Sequence, residues 1–444
     1  MDNRPVYHIT GEKGWINDPN GVVRFKNQYH IFYQAHPYSC EWGSMHWGHV
    51  VSDDLKSFKY LPYALVPGDE FDKDGCFSGV SLVKDDTLYI VYTGFIFNEN
   101  PEDIRQIQCL ASSKDGIHFV KHGVIIGSDD LPSEYKKCDF RDPQIVYKDD
   151  TYYLFVASKR ISGGGAILLY RSKDLKKWEF VSDVLNNKTE GSMIECPSYY
   201  DDLNLLIYSE QDIPTESNHC YNIHACNYEV GKLNDKFKFE SRSGRKLIDY
   251  GFDFYAPQLM ANEPYIFAWL NMWGRSNPSS KYGFAGMLTI PRKVEVVDNE
   301  LIQTPIICGD LKETSHAKEF STHIVSGTVV LEVEDLTALN VEMRKGDNDE
   351  VTKFDLKDDE FYFDRSHSGE QITGLEVDKY SLAGIRKMPF KKKDKTTIYF
   401  VLDKYSIEIF VNGMAMSNVV YPNPQSDLFN LKIEAKKISL KVYK

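Results

Sequence analysis

One segment of about 60 residues recurs five times along the first three hundred positions, and this limits the fold more than any other feature. Each copy opens with a polar or aromatic residue, then a small or acidic one, and usually a proline. An apolar strand, a polar turn and a second aromatic-rich strand follow. Asn17-Asp18-Pro19-Asn20-Gly21 leads into VVRFKNQYHIFYQ, Phe77-Ser78-Gly79 into VSLVKDDTLYIVYTG, and Arg141-Asp142-Pro143 into QIVYKDDTYYLFVAS. Glu195-Cys196-Pro197 leads into SYYDDLNLLIYSE, and Tyr255-Ala256-Pro257 into QLMANEPYIFAWL. The column Pro19, Gly79, Pro143, Pro197, Pro257 advances by 60, 64, 54 and 60 residues. A second echo keeps the same phase: SDDLKSF (52–58), SKDGIHF (113–119) and SKDLKKW (172–178) place Asp54, Asp115 and Asp174 in turns between strands. A unit of two hairpins repeated in this way is a four-stranded blade, and five blades close a ring with few open edges.

Beyond Pro305 the echo stops. Residues 329–334 (VVLEVE), 406–413 (SIEIFVNG) and 438–444 (ISLKVYK) alternate apolar and polar residues at period two, as half-buried antiparallel strands do. Asn412-Gly413 is a hairpin signal, and Lys391-Lys392-Lys393 reads as a solvated loop or edge guard. The expected architecture is all-β: a five-bladed β-propeller over residues 1–305, a linker over 306–315 and a β-sandwich over 316–444.

Composition narrows the partners. Sixty-five acidic against 52 basic side chains leave a net charge of −13 over 444 residues, which argues against nucleic acid. Twenty-eight Tyr, 25 Phe and 6 Trp suit sheets and sugar-binding surfaces. No apolar run is long enough to cross a bilayer and no secretory leader is visible, so a cytoplasmic chain without membrane contact is expected. A homo-oligomer is compatible with this reading. The eight cysteines are scattered and read as free thiols. Cys220, Asn222, His224 and Cys226 would share one face of a strand, but the spacing fits no known zinc site, so no metal is expected.

In a propeller the innermost strand of each blade lines the axis. Residues in equivalent phase therefore converge, and Asn17, Asp18, Phe77, Ser78, Arg141, Asp142, Glu195 and Tyr255 are expected at one pocket mouth. Taken singly, Asp18 and Asp142 would be turn formers and Glu195 an edge residue. Three carboxylates and a guanidinium gathered in one aromatic-walled cavity are costly to bury, and close like charges separate their pKa values. That separation is what glycoside hydrolysis needs: one carboxylate to attack or activate water, one carboxylic acid to protonate the leaving oxygen. Nucleotide-binding and zinc-protease motifs are absent. Gly163-Gly164-Gly165 reads as a hairpin turn, and Met45-His46-Trp47-Gly48-His49 as a packed strand with satisfied imidazoles.

Trp15-Ile16-Asn17-Asp18-Pro19-Asn20-Gly21 resembles the W-[ML]-N-D-P-N-G signature of glycoside hydrolase family 32. The stretch 42–49, Cys76-Phe77-Ser78-Gly79, Gln108-Cys109-Leu110-Ala111, Phe140-Arg141-Asp142-Pro143, Glu195-Cys196-Pro197 and Asp364-Arg365-Ser366-His367-Ser368-Gly369 are similar to further motifs of that family. The resemblance implies retaining hydrolysis of terminal β-D-fructofuranosyl bonds in sucrose, sucrose 6-phosphate or short fructo-oligosaccharides, without a cofactor. It implies Asp18 as nucleophile, Glu195 as acid/base and Asp142 as the stabiliser holding fructose hydroxyls. Asn17, Gln34, Trp42, Phe77, Ser78 and Arg141 would line the fructosyl subsite, with Tyr255 and Trp269 added to that set. Ile16, Ile194 and Ala35-His36-Pro37 depart from the family pattern on the leaving-group side. Arg275 and Lys281 are candidates to hold a phosphate, with solvated loop charges as the plainer account. Competing readings are an inverting arabinan or xylan hydrolase on a related propeller, and a carbohydrate-binding propeller without catalysis.

Overall fold

The computed structural model describes residues 3–97, 100, 103–186, 193–213, 221–374 and 384–444. Among them there is no α-helix; strands, turns and short 3₁₀ turns at Ser128–Asp130 and Pro278–Tyr282 build the fold. Blade I comprises Gly14–Phe25, Gln28–His36, His46–Ser52 and Lys59–Leu65, and blade II Gly75–Lys84, Thr87–Ile96, Arg105–Ser113 and Val120–Ile126. Blade III comprises Tyr135–Lys148, Thr151–Arg160, Gly165–Ser172 and Glu179–Asn186. Blade IV has Ile194–Tyr200, Leu205–Glu210 and Ala225–Leu233, its outer edge divided between Phe239–Ser241 and Lys246–Leu247. Blade V has Tyr255–Leu259, Tyr265–Trp269, Arg292–Val297 and Glu300–Pro305. The five-bladed propeller is as expected.

Successive side chains on a strand point to opposite faces, so each blade packs on both its neighbours. In blade III, Leu154, Val156 and Leu168 join Val80, Val91 and Leu110 of blade II, while Phe155, Ile167 and Leu169 join Leu206 and Tyr208 of blade IV. Middle strands such as His46–Ser52, Gly165–Ser172 and Leu205–Glu210 are buried on both faces for this reason, while outer strands such as Val120–Ile126 alternate. The ring closes where Ile31, Tyr33 and Val50 meet Met260 and Phe267, and where Gly14 and Trp15 pair in parallel with Phe284 and Ala285.

The three-fold turn echo has one geometry. Asp54 Oδ1 accepts from the backbone N–H groups of Lys56 and Ser57, Asp115 from Ile117 and His118, and Asp174 from Lys176 and Lys177, all at 2.8–2.9 Å. The serine that opens each turn accepts from Leu55, Gly116 and Leu175, which occupy the left-handed region at φ +61, +81 and +64°. Each turn joins the third and fourth strands of its blade. Side-chain carboxylates thus replace the hydrogen bonds that the reversing backbone cannot make.

The second unit is one hydrogen-bonded network folded into two layers by its longest strand, Gly327–Lys345. Its first half pairs with Lys395–Asp403, followed by Ser406–Val411 and Met414–Val419; its second half pairs with Val351–Lys357, followed by Glu360–His367 and Ile385–Pro389. Leu428–Tyr443 runs alongside both halves. Leu311–Ser315, inside the span expected as linker, pairs with this last strand. Phe354, Phe361 and Met388 of one layer meet Phe400, Ile407 and Ile409 of the other in a single core.

Two expectations need correction. Ser406–Val411 is buried on both faces, not half-buried. Ile407, Ile409 and Val411 enter the sandwich core, whereas Glu408 faces the propeller. Its polar face meets ions, not water. Arg292 of blade V donates to Glu408 at 2.5 Å and to Asp249 at 3.0 Å; the Glu408 side chain is fully buried. The His8 ring lies between Asp403 at 2.9 Å and Glu408 at 3.0 Å. Secondly, residues 221–224 are not strand, since that strand begins at Ala225; His219 and Cys220 lie outside the described residues. Asn222 instead accepts from Arg386 of the sandwich at 2.8 Å. The packed strand expected at 45–49 begins at His46, and its imidazoles are not all satisfied, since His49 Nδ1 has no hydrogen-bond partner. Lys391 is exposed and pairs with Glu300 at 2.9 Å.

Removing one partner of a buried ion pair strands the other, so Glu408→Ala is expected to cost about 3–5 kcal/mol, seen as a lowered midpoint in chemical denaturation. Burial opposes a charge on His8, yet its two carboxylates push its pKa up to about 9. This stabilisation is complete below the unfolded value near 6.5 and is lost as pH rises through about 9. A His8→Gln chain should therefore show a flatter thermal midpoint between those pH values than the parent.

Candidate active site

Every inner strand breaks its ladder at the same phase of the repeat. In blades I, III, IV and V, residues 17–18, 142–143, 196–197 and 256–257 each stand opposite a single partner residue; in blade II, Ser78 has no opposite number. Such a bulge bends the strand and turns its side chains out of the alternating pattern. Proline suits a position with no ladder bond to donate. Asp142, Cys196 and Ala256 hold left-handed backbone at φ +59, +48 and +49°. Conformations of this kind cost about 1–3 kcal/mol each in non-glycine residues, and the packed blades hold them in place.

The bulges aim two columns of side chains into one cavity of about 310 Å³, lined by Asn17, Asp18, Gln34, Trp42, Phe77, Ser78, Arg141, Asp142 and Glu195. Asp18 accepts from Asn17 at 3.0 Å and from Ser78 Oγ at 2.7 Å. Glu195 is held on both oxygens: Arg141 donates to Oε1 at 2.8 and 3.1 Å, while Gln211 at 2.8 Å and Tyr255 at 2.5 Å donate to Oε2. The backbone N–H of Cys196 donates to Asp142 at 3.1 Å, and its thiol lies 3.6 Å from Asp142 and 3.9 Å from Asp18. Phe77 stacks on Phe95 with centroids 4.3 Å apart, and Trp42, 46% exposed, meets Phe77 edge-on at the rim.

Burial pushes the Asp18 pKa up to about 6, against the hydrogen bonds from Asn17 and Ser78. Burial also raises Asp142, with Arg141 opposing and the charges of Glu195 and Asp18 adding to the rise. The cavity gathers more carboxyl groups than its single guanidinium can pair.

Two residues from the sequence analysis stand behind the cavity wall. Tyr255 is buried and reaches the site only through its hydroxyl on Glu195. Trp269 is fully buried, packed 4.9 Å from Trp273 and 5.5 Å from Trp15; Trp273 is the one that lines the cavity. Reading the repeat did not find Ile104, Gln106, Cys138, Asp139 or Gln211. These residues lie outside the bulge column, at strand ends and approaches where the repeat carries no common pattern. Arg275 and Lys281 are not at the cavity. Arg275 is buried on Asp253 at 2.5 Å, with Arg365 of the sandwich on the same carboxylate at 2.6 Å, and Lys281 pairs with Glu370.

Comparison with known proteins adds an independent finding. The model of the glycosyl hydrolases family 32 N-terminal domain matches residues 8–305, and that of the family 32 C terminal matches 303–444. A sucrose-6-phosphate hydrolase of Zymomonas mobilis is 32% identical over 462 residues, spanning 95% of this chain and 88% of that protein. A raffinose invertase of Escherichia coli is 33% identical over 451 residues, spanning 96% and 91%. The structure of a Bombyx mori GH32 β-fructofuranosidase superimposes with a TM-score of 0.83 at 27% identity, covering all of this chain and 94% of that one. A sucrose-6-phosphate hydrolase from Lactobacillus gasseri shares the fold, with a TM-score of 0.88 at 24% identity over all of this chain and 93% of that one.

An aspartate whose folded pKa is raised binds more protons folded than unfolded, so its ionisation works against the fold. The Asp18→Asn chain should gain stability on the parent as pH rises from about 4 to about 6, by about 1–3 kcal/mol above that range. Paired thermal melts across this window check it.

Proposed function

The chain belongs to glycosyl hydrolase family 32, and on that premise we propose that it is a β-fructofuranosidase working by double displacement, with Asp18 as nucleophile, Glu195 as acid/base and Asp142 as stabiliser. One observation carries the assignment: Asp18 and Glu195, 177 positions apart in sequence, share one cavity yet have opposite surroundings. Asp18 receives only neutral donors, which leave it free to attack; Glu195 is clamped by a cation on one oxygen and by neutral donors on the other.

The chemistry follows from those surroundings. Glu195 gives a proton to the glycosidic oxygen, its carboxyl held in place by Arg141, Gln211 and Tyr255. The C2–O bond breaks, its electron pair leaving with the alcohol, as an Asp18 oxygen bonds to C2 on the opposite face. Water then attacks C2 while Glu195 takes its proton; the C2–Asp18 bond breaks and the product keeps the β configuration. Asp142, turned inward by its left-handed backbone, holds the sugar hydroxyls. Asn17, Gln34, Trp42, Phe77 and Ser78 shape the fructosyl subsite; Tyr255 acts through Glu195, and Trp269 by backing Trp273. Relatives named for sucrose 6-phosphate and raffinose support a fructosyl donor of this kind and give no support to an arabinan or xylan substrate. We also read residues 1–305 as the catalytic unit and the remainder as its brace, which the ion pairs across the junction support.

Asp18→Asn and Glu195→Gln should each lower kcat on sucrose by about 10³-fold or more with melting retained. In the parent chain kcat/KM should fall as pH drops through about 6, where Asp18 takes up a proton. Near-normal turnover in either variant would remove the role given to that residue.

A further inference from the structure

Nothing in this mechanism decides whether the sugar can carry a phosphate; the charges around the cavity do. Asp18, Asp139, Asp142 and Glu195 line it against Arg141 alone among the described residues. Arg141 is fully engaged, with Glu195 at 2.8 Å and Asp139 at 3.0 Å. The two cations that the sequence offered as phosphate partners are bound at the propeller–sandwich junction, Arg275 on Asp253 and Lys281 on Glu370. Asp139 belongs to that set of carboxylates without a part in the reaction. Its carboxylate is 24% exposed, beside Cys138 on the cavity wall, at the end of the guanidinium away from Glu195.

We infer that this cavity selects neutral fructosides over phosphorylated ones, and that Asp139 is a specificity-determining residue for that choice. The inference rests on the fructosidase reading above. A phosphate dianion on the leaving group, held at the mouth of this cavity, meets repulsion with no free cation on the described wall to offset it. Because the rim is exposed at Trp42, salt should weaken the repulsion.

The test is competition between sucrose and sucrose 6-phosphate on the full chain, from low ionic strength to about 0.5 M salt. The expected kcat/KM ratio favours sucrose by about tenfold or more at low salt and narrows as salt rises. Asp139→Asn should narrow the low-salt ratio about threefold or more and reduce its salt dependence. A merely structural role for Asp139 would lower both rates together and leave the ratio unmoved. An equal or greater kcat/KM on the phosphate, or a preference for sucrose that salt leaves unchanged, overturns the inference and leaves the fructosidase reading standing. Failure to turn over either sugar overturns both.

Discussion

The structure depends on a backbone irregularity placed at one phase in five sheets. A regular inner strand would direct alternate side chains into the two neighbouring blades, where apolar residues belong, and leave the axis lined with backbone. The bulges at residues 17–18, 78, 142–143, 196–197 and 256–257 break that alternation. They bring consecutive pairs such as Asn17 and Asp18, or Arg141 and Asp142, to the same cavity. The strained backbone at Asp142, Cys196 and Ala256 is sustained by the apolar junctions on either side of each blade. Packing between blades and chemistry at the axis are therefore linked.

The electrostatics follow from this crowding. Asp18, Asp142 and Glu195 meet one guanidinium, and each carboxylate is differentiated by its donors, not by its own chemistry. Ser78 and Asn17 orient Asp18 without neutralising it, Arg141 orders Glu195, and the Cys196 N–H steadies Asp142. The site is thus assembled against its own repulsion. Across the junction with the sandwich each carboxylate has a basic partner: Arg292 holds Asp249 and Glu408, and His8 lies between Glu408 and Asp403, which makes that contact one of orientation as much as of burial.

The ring, its blade count and the core of the site were legible because they are periodic. Asp18, Asp142 and Glu195 stand at repeat positions, and the turn aspartates recur at near-constant spacing, so one pattern reports both architecture and chemistry. What the sequence did not show has no period. Trp273, four positions beyond the end of its blade V strand, lies outside the repeat pattern, whereas Trp269, the last residue of that strand, packs behind the wall. Asp139 and Gln106 come from positions flanking the repeat. Glu408 looked like the solvent face of an amphipathic strand, because alternation reports that a face is polar and not what it meets. Arg275 reads as a loop cation in the sequence because its partner Asp253, shared with Arg365 of the sandwich, carries no signal of the pairing.

The central claim is that Asp18, brought to the axis by the first bulge, bonds to the sugar while Glu195 handles the proton. The direct measurement uses a fructosyl donor with an activated leaving group, such as fructosyl fluoride, with the Glu195→Gln chain, in which formation of the intermediate no longer needs the acid but its hydrolysis lacks the base. Peptide mass spectrometry after rapid acid quench is expected to find one added hexosyl group on the peptide carrying Asp18. A label on another carboxylate, or an unlabelled chain releasing a product of inverted configuration, would contradict the account.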